Sequence, residues 1–211
     1  MADDVQLILS FGPVESPSIE WFDEVKHHWS TAPHVYCSGG GQITDGVVQD
    51  DDVVLTTVHF DGAAVHPVVC GGVDVANSTD AGEGIGAEVA KVWGLRHVLV
   101  FAEGCALDAA SFVAGMNTVL PADVQVTGGL ASNGIALSST SVGLNGQPES
   151  GRVVGVGLPD AEVLHDNELF TRERHRLDTQ IMYHAVELDH AQAVIVHVRD
   201  VGPTGFGTRP T

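Results

Sequence analysis

Two glycine-rich stretches carry the most legible chemistry in this chain: Ser38-Gly39-Gly40-Gly41 within "VYCSGGGQITDG" (35–46), and Thr127-Gly128-Gly129 within "VTGGLASNG" (126–134). Each follows an apolar run that reads as a strand. Successive glycines take up backbone conformations closed to other residues. The N–H groups of such a turn form a concavity suited to an anion or a carboxylate. Ser38, Thr127, Ser132 and Asn133 add hydrogen-bonding side chains beside the bare backbone. One glycine pair alone is ordinarily a tight turn or a close packing of backbones. Two related turns about ninety residues apart raise a second reading, a recess shared between two halves that holds a small ligand.

Other groupings have plainer readings beside the functional ones. Gly82, Gly84 and Ala87 satisfy G-x-G-x-x-A, with Glu103 about twenty residues on, where a ribose partner of a dinucleotide would stand. That fingerprint needs its turn directly after a strand, and "ANSTD" intervenes. The expectation is therefore of helix-start glycines packed against a sheet. His27, His28 and His34 cluster around a helix end, and His59 shares a strand face with Thr57 and Leu55. No H-x-x-x-H, HExxH or finger-like spacing occurs, so no zinc site is expected. A single axial histidine for haem needs no motif. Cys37 and Cys105 each follow a strand, but a reactive thiolate needs an electropositive setting, which the first 150 residues hardly offer. Asp50, Asp51 and Asp52 read as a solvated loop. No G-x-S-x-G and no acid, base and nucleophile set is present.

Composition bounds the partners. The chain carries 28 acidic and 9 basic residues, a formal charge of −19, and its lysines are Lys26 and Lys91. Self-repulsion at that charge is relieved by salt, whose screening length falls to roughly 3 Å at 1 M. An acidic, lysine-poor surface thus reads as halophilic. Binding nucleic acid requires a basic footprint that is absent here. Three cysteines without a CxxC read as reduced thiols in a cytoplasmic protein. The N-terminal "MADDVQLILSFG" lacks the pattern of a signal peptide. No apolar run approaches bilayer-spanning length, so no membrane partner is expected.

The elements that must position the turns occur twice. "VQLILSF" (5–11) reads as a buried strand. A helix follows with Ile19, Phe22, Val25 and Trp29 at helical spacing, capped by Ser16 or Ser18. Strand "HVYCS" leads into the first glycine turn, and "DVVLTTVHFDG" is a further strand. "STDAGEGIGAEVAKVWG" is a helix closed at Gly94. Then "HVLVFA", a helix capped at Asp108, and "VQVTGG" repeat the order, offset by about ninety residues. "STSVGLNG" and "GRVVGVGLP" read as a hairpin. The fold expected is α/β, with mixed, largely antiparallel sheets flanked by helices, in two similar halves from an internal duplication. Residues 161–211 change character. They read as a divergent or truncated tail, or as the product of a shifted reading frame, with "AVIVHV" a strand.

These pieces resemble the N-terminal domain of the FIST family (F-box and intracellular signal transduction). Its "GCSTAGEI"-like turn is matched by Cys37-Ser38-Gly39-Gly40-Gly41-Gln42-Ile43. Its "V-L-V-F-x-D-G" strand is matched by "VLVFAEG" (98–104), and its "V-x-G-G-L-A-G-D-G" turn by "VTGGLASNG" (126–134). Its "G-V-V-x-V-G-L" strand is matched by "GRVVGVGL" (151–158). Here Gly39-Gly40-Gly41-Gln42 stands for the usual Thr-Ala-Gly-Glu, and Ser132-Asn133 for Gly-Asp. The resemblance spans roughly 5–160 and implies a sensory domain over residues 1–160 without the usual C-terminal companion domain. It implies a cytoplasmic, non-catalytic module that binds a small ligand such as an amino acid and acts beside a signalling kinase or transducer. Some members bind haem and sense nitric oxide, which makes a haem-based gas sensor the alternative. An enzyme and a non-functional fragment are the remaining ones. The ligand-binding residues expected are Ser38, Gly39, Gly40, Gly41, Thr127, Gly128, Gly129, Ser132 and Asn133.

Overall fold

The apolar run "LILSFG" forms β1 (Leu7–Gly12), buried along nearly its whole length as a strand covered on both faces must be. The computed structural model describes residues 5–15, 17–44, 47–49, 52–60, 64–134, 138–159, 185–188 and 191–198. Ser18 caps α1 (Ile19–His28), its Oγ accepting from the Trp21 amide at 3.4 Å. β2 (His34–Ser38) returns parallel to β1. A hairpin of β3 (Gln42–Thr44) and β4 (Val47–Gln49) follows. β5 (Val53–Phe60) then lies antiparallel to β1 on its other side. The second half runs the same course. β7 (Leu95–Ala102) leads to α3 (Ala109–Val119), capped by Asp108, whose carboxylate accepts from the Ser111 amide at 2.7 Å. β8 (Gln125–Leu130) is parallel to β7, and β10 (Val153–Pro159) is antiparallel to it. The order β5-β1-β2 in one sheet is the order β10-β7-β8 in the other, so the duplication expected from sequence is a duplication of topology.

Each half also gives a strand to the other's sheet. β6 (His66–Cys70), from the first half, pairs with β10. β9 (Val142–Leu144), from the second, pairs with β2. This corrects the expected hairpin of "STSVGLNG" with "GRVVGVGLP". β10 already has β6 and β7 on its two edges, and Val142 is buried instead beside Val35 and Cys37. Beyond residue 160, β11 (Ala185–Leu188) and β12 (Ala191–Val198) pair with each other, and β12 runs parallel to β5 over eight register positions. "AVIVHV" is thus a strand. The sheets have six, four and two strands, and six of the nine strand pairs among the described residues are antiparallel.

Alternation along the strands assigns four layers. Leu7, Val35, Cys37 and Val58 point from the six-stranded sheet onto Phe101, Val154, Val156 and Leu158 of the four-stranded one. On the outer face, Ile8, Tyr36 and Leu55 pack under Trp21, Phe22 and Val25 of α1. The outer face of the four-stranded sheet carries α2 (Ser78–Val89) and α3, through Ile85, Val89, Phe112 and Met116. The two helices approach backbone to backbone. A Cβ on Gly82 would run into the carbonyl oxygen of Phe112, and one on Gly115 into that of Thr79. Gly82, Gly84 and Ala87 therefore belong to the body of α2, with Gly82 set against a helix where a sheet was expected. Among the described residues no helix is long and apolar enough to cross a membrane.

His34 is buried under α1. Its Nε2 lies 2.7 Å from Ser10 Oγ, and its ring sits 5.6 Å from Trp21 and 5.7 Å from Phe22, centroid to centroid. Burial lowers its pKa from 6.5 to about 4. The unfolded chain therefore binds a proton there that the native protein refuses. Stability from this group is full above pH 6.5 and is lost as pH falls toward 4, by roughly 3 kcal/mol in all. Thermal melts between pH 4 and 8 should show that loss in the native sequence, and a curve flatter by about that amount in His34→Asn. The helix contact gives a second expectation. Gly82→Ala and Gly115→Ala should each cost about 2–3 kcal/mol through backbone overlap. Gly84→Ala, where a Cβ meets nothing within 4 Å, should raise the melting temperature by about 2–4 °C through helix propensity.

Candidate functional site

The two glycine turns lie at the carboxyl ends of parallel strands, and equivalent bonds set them up. The Gly39 amide donates to Gly12 O at 2.8 Å, and the Ala131 amide to Ala102 O at 2.7 Å. Each bond extends a parallel pair by one residue past its last strand position. The turns then meet across the two halves. The Ser132 amide donates to Ser38 O at 2.9 Å. A Cβ on Gly40 would fall 2.8 Å from Gly134 Cα and 2.8 Å from Ser132 Oγ. Gly40 and Ser132, each two positions beyond its strand, are thus in contact, as two copies of one motif related by a pseudo-twofold would be. Gly134 (φ +51°) and Gly41 (φ +145°) have the positive φ that permits these reversals.

The expected site residues divide into two groups. Ser38, Gly39, Gly40, Gly41, Ser132 and Asn133 come together at this junction, with Gly134. Thr127, Gly128 and Gly129 lie on β8 itself and line an apolar groove of about 260 Å³ against Phe112 and Val113 of α3. Thr127 Oγ1 is 2.7 Å from His97 Nε2. Gly128, at φ +141°, lets β8 close on the backbone of Val100. Gly129 is exposed and has open space where a Cβ would stand. At the junction Ser38 is buried, and its Oγ accepts from the Ser141 amide at 3.0 Å. The amides of Gly40, Gly41, Asn133 and Gly134 donate to no acceptor among the described residues. Those four N–H groups and the side chains of Ser132 and Asn133 are the junction's open hydrogen-bonding capacity.

Beneath the junction, Ser141 carries no signal in sequence, and Glu103 has one only as the ribose partner of a dinucleotide fingerprint. Ser141 is buried and its Oγ has no hydrogen-bond partner among the described residues, a deficit costing about 1–3 kcal/mol when uncompensated. Glu103 is 2% exposed, and its carboxylate accepts from the amides of Cys105 (3.0 Å) and Ala106 (2.5 Å) and from Thr140 Oγ1 (2.5 Å). It anchors the loop between β7 and α3 and is not presented to a ribose.

The alternatives meet specific geometry. Both histidines buried among the described residues are committed through Nε2, His34 to Ser10 and His97 to Thr127. These two therefore do not fit the role of a haem's axial ligand. Burial pushes the Cys37 thiol up to about 12, far from a thiolate at neutral pH. Burial, then the neighbouring Cys37 and Glu15, likewise raises Tyr36, whose hydroxyl donates to Pro13 O at 2.7 Å. Asp50 and Asp51 lie outside the described residues. Iodoacetamide should modify the exposed Cys105 in the native protein and leave Cys37 unmodified until denaturant is added. Mass spectrometry of the digested adducts checks this, and native-state labelling of Cys37 would restore it as a candidate nucleophile.

Comparison with known proteins agrees with this architecture. No curated protein matches the chain. A family model of the FIST N domain matches residues 6–195, from the start of β1 into β12 and across both glycine turns. The chain belongs to the FIST N-domain family, a family of sensory domains in signal transduction.

Proposed function

We propose that this protein is a non-catalytic sensory domain of the cytoplasm that binds a small, carboxylate-bearing ligand such as an amino acid where its two glycine turns meet. The observation that carries the reading is the contact itself. Two turns from duplicated halves touch through Ser132 N–Ser38 O and Gly40–Gly134, and leave four amide protons without acceptors among the described residues. Convergent backbone N–H groups with a few polar side chains suffice to fix and select a small anionic group. Gly40, Gly41, Asn133 and Gly134 supply the amides, and Ser132 and Asn133 the side-chain contacts. Ser38 and Gly39 hold the backbone in place. Thr127, Gly128 and Gly129 shape the strand that delivers the second turn. A ligand held here touches both halves at once, which is how its arrival would reach a signalling kinase or transducer.

Calorimetric titration of the full chain with the standard amino acids tests this reading. At least one should bind, and the double change Ser132→Ala with Asn133→Ala should weaken it about tenfold or more. Gly129→Ala should leave affinity and melting temperature unchanged. Unaltered binding in the folded double variant would remove the turns from the site. Gly128→Val is the wrong probe, because its side chain would collide with the Val100 backbone and the loss would be one of folding.

A further inference from the structure

At the other end of the six-stranded sheet from the glycine turns, a cleft of about 400 Å³ opens between the last turns of α1 and the amino end of β2. Phe22 and Trp29 give it an aromatic wall, and Lys26, His34 and Asn145 are its principal polar groups. Phe22 and Lys26 are four apart on α1, so they share one helix face, and Trp29 is its C-cap.

Lys26 is singular. Four lysines and arginines fall among the described residues, and three hold a carboxylate: Lys91 with Glu88 at 2.6 Å, Arg96 with Asp123 at 3.0 Å and Arg152 with Glu149 at 2.5 Å. Lys26 has no such partner among the described residues. In a chain with 28 acidic residues against 9 basic ones, an ammonium lining a cleft with no carboxylate partner among the described residues is a charge left for something else to meet. Its place in the last turn of α1 suits the helix dipole, but His27 and His28 occupy that turn as well. Among the described residues the cleft lining contains no aspartate or glutamate, so no carboxylate there would pair with an ammonium group.

The floor is held still. Asn145 Oδ1 accepts from the His34 amide at 2.9 Å, and the Asn145 amide donates to His34 O at 2.8 Å. This pair of hydrogen bonds stabilises Asn145 at φ +59°, a positive φ shared by no other non-glycine among the described residues. Its side-chain Nδ2 has no partner among the described residues and is left as a second donor.

We infer that this cleft is a second ligand site, separate from the turn junction, which takes an aromatic monocarboxylate without an amino group. The ring lies against Phe22 and Trp29, and the carboxylate meets Lys26 with the Asn145 amide as second donor.

Phenylacetate is the probe, titrated calorimetrically into the full chain at low ionic strength. It should bind, and phenylalanine and phenylethylamine should displace it at least about tenfold less well. Lys26→Gln should weaken phenylacetate by about tenfold or more, Lys26→Arg should retain most of the affinity, and neither should shift the melting temperature. Lys26→Gln should leave amino-acid binding at the turns intact, and Ser132→Ala should leave phenylacetate binding intact, so the two sites stand or fall separately. Absence of phenylacetate binding at about 1 mM, unchanged affinity in folded Lys26→Gln, or equal displacement by phenylalanine would each overturn the assignment.

Discussion

Two backbones reach van der Waals contact only where neither carries a side chain in the way, and this fold meets that condition where its halves join. Gly40 of the first half lies against Gly134 of the second, and Gly82 of α2 against the main chain of α3. Gly155 of β10 leaves room for Ile85 of α2. Larger residues at these points would push whole elements apart, because the opposing atoms at Gly40 and Gly82 are mostly main chain and cannot rotate away. The four layers and the meeting of the two turns follow from this constraint.

The electrostatics of the interior point the same way. Cys37, Tyr36 and His34 lie on neighbouring positions of β2, and burial moves each toward its uncharged form. Among the described residues up to Pro159, every acid but Glu103 is exposed. The central strands that carry the first turn are electrically quiet, and the recognition proposed at that turn would rest on backbone amides more than on net charge.

Much of the architecture was legible in the chain because local signals sufficed. Apolar runs marked β1, β2, β7 and β10, Ser18 and Asp108 marked two helix starts, and the spacing of similar motifs marked the duplication. Strand pairing was the part least visible. "STSVGLNG" sits next to "GRVVGVGLP" in sequence and pairs with β2 instead, since the free edge of that strand offers Val142 a dry place beside Val35. The first glycine turn was legible as a turn, whereas Gly128 and Gly129, expected in the second, are strand residues of β8 and the chain turns after them. Which polar groups of the two stretches remain open was not legible. The Ser38 hydroxyl accepts from the Ser141 amide and the Thr127 hydroxyl is hydrogen-bonded to His97, and both partners are remote in sequence. Lys26 carries no local signal at all, because its singularity lies in an ion pair it does not make among the described residues.

The reciprocal loan of β6 and β9 has a consequence for how the chain reaches this state. Neither repeat closes its own sheet, so neither is an autonomous folding unit, and unfolding engages both together. β2 must await β9 from more than a hundred positions downstream, which places the molecule among the high-contact-order, slower folders. Until that strand arrives, the free edge of β2 is exposed to any passing chain. An ancestral single repeat, if it persisted, would have had to satisfy the same edges by pairing with a twin.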